Sequence, residues 1–348
     1  MATPEESMRR ALELAQRFRP HPNPRVGAVV VDGGQIVGEG AHRRAGDPHA
    51  EPLALQGAGS RAEGATMFVT LEPCAHHGRT PPCVAAIIEA GIDRVVVGAE
   101  DPDVRVSGKG VEALRQAGVT VEVGFLAGEI EAADPGYFHH RRTGRARVVH
   151  KTASTLDGQI AAVDGTSQWI TGEEARRDVH ELRASVDAVL IGAGTLLTDD
   201  PLLDVRLPDF SGPQPRPVIV AGSRPLPATS RIWERDPVVI APGPLPVPGE
   251  LVVAGSGGRV DLEAGLTSLA DLGLFDILVE GGAGISGSLW DGGLIDAGIW
   301  YLGAMIAGGI GRGVFDHPFA TLADGRRIEI TRLVRLGPDL RIDWIPST

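Results

Sequence analysis

Residues 66–83 read Thr-Met-Phe-Val-Thr-Leu-Glu-Pro-Cys-Ala-His-His-Gly-Arg-Thr-Pro-Pro-Cys. The first six are mostly apolar or β-branched and predict a strand over Thr66–Leu71. Glu72-Pro73-Cys74 leaves its end into a loop. Thr80 is placed to cap a helix with Pro81 at its first position, running to Gly91. Strand, loop and helix in succession are the unit of an α/β fold. The loop carries Cys74, and Cys83, with eight residues between the two, falls in the first turn of the helix.

Outward from that stretch the same alternation continues. Met8, Leu12, Ala15 and Phe18 recur at helical spacing and predict a helix over 4–18, ended by Pro20, Pro22 and Pro24. Val26–Val31 and Gln35–Glu39 predict strands joined by the turn Asp32-Gly33-Gly34. A helix is expected near His49, because Pro52 is tolerated only in a first turn. A strand at Arg94–Gly98, a helix at Gly110–Gly118 and a strand at Val119–Val123 follow. The polar, basic run 139–147 predicts a boundary, giving domains 1–145 and 146–348. Beyond it, strands are expected at Val148–Ala153, Asp187–Ile191, Pro217–Val220, Val238–Ile240, Leu251–Ala254, Ile277–Val279 and Ala297–Leu302. Helices are expected at Glu173–Arg183 and, after a glycine-rich loop, up to Trp290. Arg327–Trp344 reads as a hairpin turning at Gly337-Pro338-Asp339.

A chain of 348 residues is too long for one ordinary core and suits two domains. Its 43% hydrophobic and 22% charged content is that of a soluble globular protein. The net charge of −12 disfavours long nucleic acid, whose phosphates it repels. It leaves small anionic substrates open, since a local basic pocket can oppose a global charge. Both cysteines fall inside the quoted motif, which leaves none for a structural disulfide and fits a reducing cytoplasm. The N-terminus does not read as a signal peptide, and no apolar run is long enough for a membrane span.

Chemistry concentrates at His49-Ala50-Glu51 and at Cys74 and Cys83. His49, Cys74 and Cys83 supply three metal ligands, and Glu51 supplies a carboxylate beside them. A catalytic zinc takes three protein ligands and keeps a fourth position for water. Thiolate plus imidazole favours zinc over other divalent ions, one per chain. Nucleobase zinc deaminases use His-x-Glu followed by Pro-Cys and a second Cys, with the Glu carrying protons. The other readings are a structural zinc completed by His76 or His77, or two ordinary buried cysteines. The common deaminase spacing is Cys-x-x-Cys. The longer insert here, Ala75 to Pro82, loops out beside the metal with cationic and hydroxyl groups suited to a phosphate or ring substituent.

In the second half, Gly282-Ala283-Gly284-Ile285-Ser286-Gly287 follows a strand and opens a helix, so its N–H groups can face a pyrophosphate. It lacks the acid about 20 residues on that a Rossmann unit wants. A dinucleotide cradle in a non-Rossmann sheet and a simple tight turn both remain.

The chain resembles the bifunctional riboflavin-biosynthesis proteins of the RibD (RibG) family. The matching runs in the first half are His21-Pro22-Asn23-Pro24-Arg25-Val26-Gly27, Gly46 to Glu51 and Leu71 to Cys83. In the second they are Lys151 to Gly158, Ser167 to Thr171, Gly192 to Thr195, Thr198 to Pro201, Arg206 and Val279 to Gly282. Together they cover nearly the whole chain. The resemblance implies a cytidine-deaminase-like α/β/α domain followed by a dihydrofolate-reductase-like α/β domain. The implied function is zinc-dependent deamination of 2,5-diamino-6-(5-phosphoribosylamino)pyrimidin-4-one. NADPH-dependent reduction of the ribosyl group then gives 5-amino-6-(5-phosphoribitylamino)uracil.

By that resemblance Glu51 is the proton carrier, Asn23 and His42 contact the base, and Arg79 contacts the substrate from the insert. Ala153, Trp169, Thr195, Asp199, Gly222 and the loop Gly282, Ala283, Gly284, Ile285, Ser286, Gly287 and Ser288 bind NADPH. The 2′-phosphate contact is expected at Gly222, Ser223 or Arg224. Ser167, Arg183, Leu203, Arg206 and Glu280 bind substrate, with Arg183 and Arg206 gripping the ribose 5-phosphate. Lys151 and Asp199 are candidates for ring opening or proton transfer. A homo-oligomer, dimer or tetramer, is expected, with no nucleic acid or membrane partner. Two departures stand out: Asp101-Pro102-Asp103-Val104 replaces the family's Asp-Pro-Asn-Pro, and Pro52 sits beside Glu51. The competing functions are a zinc deaminase of another base with a regulatory nucleotide-binding second domain, and a non-catalytic zinc-stabilised interaction protein.

Overall fold

The Thr3 hydroxyl accepts the Glu6 N–H, and the Glu6 carboxylate accepts the Thr3 N–H. This reciprocal cap starts helix α1 (Pro4–Gln16). The computed structural model describes residues 1–76, 81–103, 106–222, 224–309, 311–316 and 320–347. It divides into two compact units, Met1–Gly144 and Arg145–Thr348.

In the first unit α1 is followed by β1 (Gly27–Asp32), β2 (Gln35–Ala41), α2 (Ala50–Ala58), β3 (Thr66–Leu71), α3 (Cys83–Glu89) and β4 (Arg94–Ala99). Then come α4 (Lys109–Gln116), β5 (Thr120–Val123), α5 (Ala127–Ala133) and α6 (Pro135–Thr143). Among the described residues they build one five-stranded sheet in the order β2-β1-β3-β4-β5. β1 runs antiparallel to β2 and β3, while β3, β4 and β5 are parallel. Helices cover both faces. Ala11 and Leu14 of α1 pack on Val29 and Ala41 from one side. α2 lies on the other side, where Gly38 and Gly40 of β2 present bare backbone.

That close approach positions the site. A Cβ on Gly40 would fall 2.0 Å from the Ala50 carbonyl oxygen, and one on Gly38 would fall 2.0 Å from that of Ala54. No side chain fits, so α2 rides directly on the strand and carries His49 and Glu51 with it. Gly40→Val is expected to cost about 3 kcal/mol through overpacking and to lower zinc retention by displacing α2. Thermal denaturation and metal stoichiometry check this; an unchanged midpoint with full zinc would refute it.

The basic run 139–147, expected as a boundary, is largely helical. α6 extends to Thr143 with Tyr137 and Phe138 buried beneath it. Its basic residues fall in the last turn, where cations suit the helix dipole. Gly144, at φ 81°, ends the helix.

The second unit contains β6 (Arg147–Ser154), β7 (Gln159–Ala161), α7 (Glu173–Ser185), β8 (Ala188–Gly192), α8 (Ala193–Asp199), β9 (Arg216–Val220), β10 (Val238–Ala241) and β11 (Glu250–Val253). It continues with β12 (Gly255–Ser256), β13 (Arg259–Val260), α9 (Leu262–Asp271), β14 (Asp276–Val279), α10 (Ala283–Asp291), β15 (Ala297–Leu302), β16 (Arg312–Gly313), β17 (Ile328–Leu336) and β18 (Asp339–Pro346). Among the described residues the main sheet has nine strands in the order β11-β10-β9-β8-β14-β6-β15-β18-β17. Its strands are parallel from β11 to β15, and β18 pairs antiparallel with both β15 and β17. Fully buried Val189, Ile191, Ile219, Val239 and Leu278 form the core, the continuous apolar pattern of strands covered on both faces. α8 and α9 were not expected from the sequence. Both are short, seven and ten residues, so each offers little helical periodicity.

Candidate active sites

At the end of β3 the chain passes Glu72 and Pro73 to Cys74, whose carbonyl accepts the Val84 N–H at 3.2 Å. Cys83 is the first residue of α3 and donates its backbone N–H to Cys74 Sγ at 3.4 Å. His49 is the N-cap residue of α2. Its Nδ1 lies 3.2 Å from Cys83 Sγ and 3.6 Å from Cys74 Sγ. All three ligand atoms fall within 4.8 Å of one another. One imidazole and two thiols at this spacing fit a tetrahedral zinc with bonds of roughly 2.0–2.3 Å.

The electrostatics point the same way. The Cys74 thiol is pulled down to about 4, chiefly by the hydrogen bond from Cys83. Cys83 is pushed up by that same neighbour and by burial. Two adjacent thiols thus share one negative charge; a cation between them is what lets both ionise.

Glu51 is the second residue of α2 and only 3% exposed. Burial pushes its carboxyl up, and its Oε2 has no hydrogen-bond partner among the described residues. A buried, unsatisfied carboxylate oxygen is costly unless something binds it, which suits a proton carrier awaiting water and substrate. His42 is 2% exposed and both its ring nitrogens are occupied: Nε2 by the Asn23 amide at 2.9 Å, Nδ1 by the Pro48 carbonyl at 3.1 Å. Burial lowers its pKa. Asn23 is half-buried. Arg79 and His77 lie outside the described residues.

Two organising residues were not anticipated. Glu72, buried, accepts the N–H groups of Gly108, Gly110 and Val111 at 2.9, 2.8 and 3.2 Å, tying the start of α4 to the strand end that leads to Cys74. Asp134, also buried, lies 2.8 Å from His21 Nε2 and accepts the Arg25 N–H at 2.8 Å. Their only sequence signals were acids next to a proline, Glu72-Pro73 and Asp134-Pro135, which is too common a pair to read. Asp103, the departure from the family pattern, is buried, with Arg141 Nε 3.8 Å from its carboxylate.

In the second unit a cleft of about 2440 Å³ opens along the ends of the parallel strands. Roughly 300–1,000 Å³ holds one drug-sized ligand, so this space accepts a dinucleotide and a substrate together. Lys151, Ala153, Ser167, Trp169, Arg183, Thr195, Asp199, Arg206, Gly222, Glu280, Gly282, Ala283, Gly284, Ile285 and Ser288 all line it, as does Arg224. Leu203, Ser286 and Gly287 do not. Leu203 packs into the core, Ser286 is buried against His150 Nε2 at 2.9 Å, and Gly287 faces the backbone of Asp316. The expected loop 282–288 is instead the start of α10, with Gly282 as an N-cap that offers no side chain. Only the turn's outer side reaches the cleft. Gly284 faces open space, leaving the first N–H groups of α10 accessible to an anion.

Charge at the cleft floor is organised around Glu280. Arg183 donates to both its oxygens, at 2.6 and 3.1 Å, and to the Asp204 carbonyl at 2.9 Å. Lys151 Nζ lies 3.6 Å from Glu280. Burial would raise the Glu280 carboxyl, but the two cations outweigh it and hold it at about 2. Arg183 is therefore part of a buried ion pair, whereas Arg206 keeps an exposed guanidinium. Asp199 ends α8, and burial raises its carboxyl.

Comparison with known proteins matches the two units separately. Residues 1–99 match the cytidine and deoxycytidylate deaminase zinc-binding region, and residues 146–342 match the RibD C-terminal domain. The riboflavin biosynthesis protein RibD of Escherichia coli K12 is 38% identical, over 97% of each chain. That of Bacillus amyloliquefaciens is also 38% identical, over 99% of this chain and 96% of its own. Among solved structures, Acinetobacter baumannii RibD superposes with a TM-score of 0.91 at 37% identity, covering 98% of both chains. A Thermotoga maritima diaminohydroxyphosphoribosylaminopyrimidine deaminase/5-amino-6-(5-phosphoribosylamino)uracil reductase superposes with a TM-score of 0.89 at 36% identity, covering 99% of this chain.

Proposed function

The chain belongs to the RibD family of riboflavin biosynthesis proteins, and from that premise we propose which of its residues carry the family's two reactions. It is a bifunctional enzyme: a zinc-dependent deaminase of the phosphoribosylamino-diaminopyrimidinone and an NADPH-dependent reductase of the deaminated product. The observation that carries the deaminase assignment is the His49–Cys74–Cys83 cluster with the unsatisfied Glu51 oxygen beside it.

His49, Cys74 and Cys83 hold the metal, and residues up to the boundary near 145 form the deaminase domain. Zinc bound there supplies Lewis acidity that eases ionisation of water. Glu51 takes the proton of the attacking water and hands it to the ring nitrogen. It then takes the proton of the hydroxyl formed on the ring carbon and delivers it to the leaving amino group as the carbonyl forms and the C–N bond breaks. Its burial favours the protonated form, so it can hold that proton between steps. Asn23 contacts the base.

In the domain that follows, NADPH, when bound, would supply the hydride that the reduction of the opened ribose at C1 needs. The uncapped start of α10, with Ala153, Trp169, Thr195 and Gly222, cradles the dinucleotide, and Arg224 is placed for the 2′-phosphate. Arg206, exposed in the cleft, grips the ribose 5-phosphate, while Glu280 orients Arg183 and Lys151. Lys151, a cation at the cleft floor, and Asp199, whose carboxyl is raised, are the groups we assign to ring opening and proton transfer.

The test supplies the diaminopyrimidine substrate with and without NADPH and identifies the products by mass. Ammonia release and the deaminated ribosyl product are expected without NADPH, and the ribityl product with loss of NADPH absorbance when it is present. No ammonia from zinc-loaded protein would sink the deaminase assignment. Ammonia without NADPH consumption would favour the regulatory reading of the second unit.

A further inference from the structure

The contacts between Asn23, His42 and Pro48 define a direction. A carbonyl oxygen only accepts, so His42 Nδ1, 3.1 Å from the Pro48 oxygen, carries the ring hydrogen. A neutral imidazole then has a lone pair on Nε2, and the atom 2.9 Å away on Asn23 must be its NH2. This follows from the sequence of donors and acceptors, so it does not depend on telling amide nitrogen from oxygen. The opposite orientation would set two acceptors against each other in a site where His42 is 2% exposed, at the full cost of a buried unmade hydrogen bond.

The loop around Asn23 is pinned on both sides. Asp134 holds His21 before it and the Arg25 N–H after it, and the Asn23 N–H bonds the Pro20 carbonyl at 3.1 Å. The relay also stands against the metal cluster, with the His42 and His49 ring centroids 5.1 Å apart. Both ring nitrogens of His42 are engaged within the protein, whereas Asn23 is only half-buried.

We infer that His42 is a positioning residue that fixes the Asn23 amide with its NH2 turned inward and its Oδ1 presented as an acceptor, so that this position selects an N–H edge of the pyrimidine over a carbonyl edge. The inference rests on the deaminase reading of the metal cluster. His42 acts wholly through Asn23, and its contribution vanishes when Asn23 is gone.

A double-mutant cycle on the full-length, zinc-loaded chain tests this, using Asn23→Ala, His42→Ala, the pair, and His42→Gln, with ammonia release and zinc stoichiometry read for each. Each alanine variant is expected to lower kcat/KM about 10- to 100-fold, and the pair to be no worse than Asn23→Ala alone. His42→Gln, whose Oε1 can accept from Asn23, is expected to recover part of the loss. Multiplying losses, or full activity in His42→Ala, would overturn the inference and leave the deaminase assignment standing. Should His42→Ala lose zinc, His42→Gln at full zinc decides, and a loss as deep as that of Asn23→Ala overturns the idea. Absence of ammonia release by the unmutated chain would instead remove the reading beneath it.

Discussion

Glu51→Gln is expected to lower ammonia release by about 10²–10⁴-fold, the usual contribution of a positioned proton carrier. The substitution keeps shape and burial but removes the group that exchanges protons. His49, Cys74 and Cys83 are untouched, so one zinc per chain should remain. Oxidation of NADPH should also continue when the deaminated ribosyl intermediate is supplied, because the cleft that lines Lys151 and Glu280 belongs to a separate compact unit. The measurement is therefore a pair of rates and a metal analysis. Undiminished deamination at full zinc would move the proton-carrier role away from Glu51. Loss of zinc with activity would show that Glu51 acts through the cluster's structure.

The second large effect is expected at Glu280. Glu280→Gln leaves the Arg183 guanidinium and the Lys151 ammonium, 12% and 17% exposed, without their shared counter-charge. Removing one partner of a buried pair costs about 3–5 kcal/mol. The second unit should lose that stability and, with it, substrate-dependent NADPH consumption, while ammonia release persists. The pH dependence has a definite sign. The folded-state pKa of about 2 lies below the ordinary carboxylate value near 4.5. The stabilisation, on the order of 3 kcal/mol, is thus fully present above about pH 4.5 and is lost as pH falls toward 2. Acid titration of the second unit's unfolding should show this step in the native chain and a smaller one in Glu280→Gln. Equal acid profiles would mean that the ion pair contributes little.

Much of the architecture was legible because it rests on local rules. Thr66–Leu71 and Ala297–Leu302 form strands with the expected bounds, and His49 stands at a helix start as Pro52 requires. The helices at 127–143 were not read, since a basic run resembles a linker until Tyr137 and Phe138 are seen to be buried. The placement of Arg183 shows a different limit. As a residue type it suits a phosphate, yet its fork is engaged by Glu280, 97 residues away, a pairing that no local pattern encodes.

What the sequence determined by itself was chemistry that lives in residue identity and short spacing: the candidate ligands His49, Cys74 and Cys83, the carboxyl group of Glu51 beside them, and the strand-to-helix alternation of both halves. What only the tertiary structure decided was which groups are already occupied. Whether His42 meets a ligand or orients Asn23, and whether Leu203 and Ser286 face a cleft or a core, depends on burial and on partners brought from distant strands. Hydrogen bonding and desolvation act between neighbours in space, and the packing of β6 against β14 and of α2 against β2 makes those neighbours.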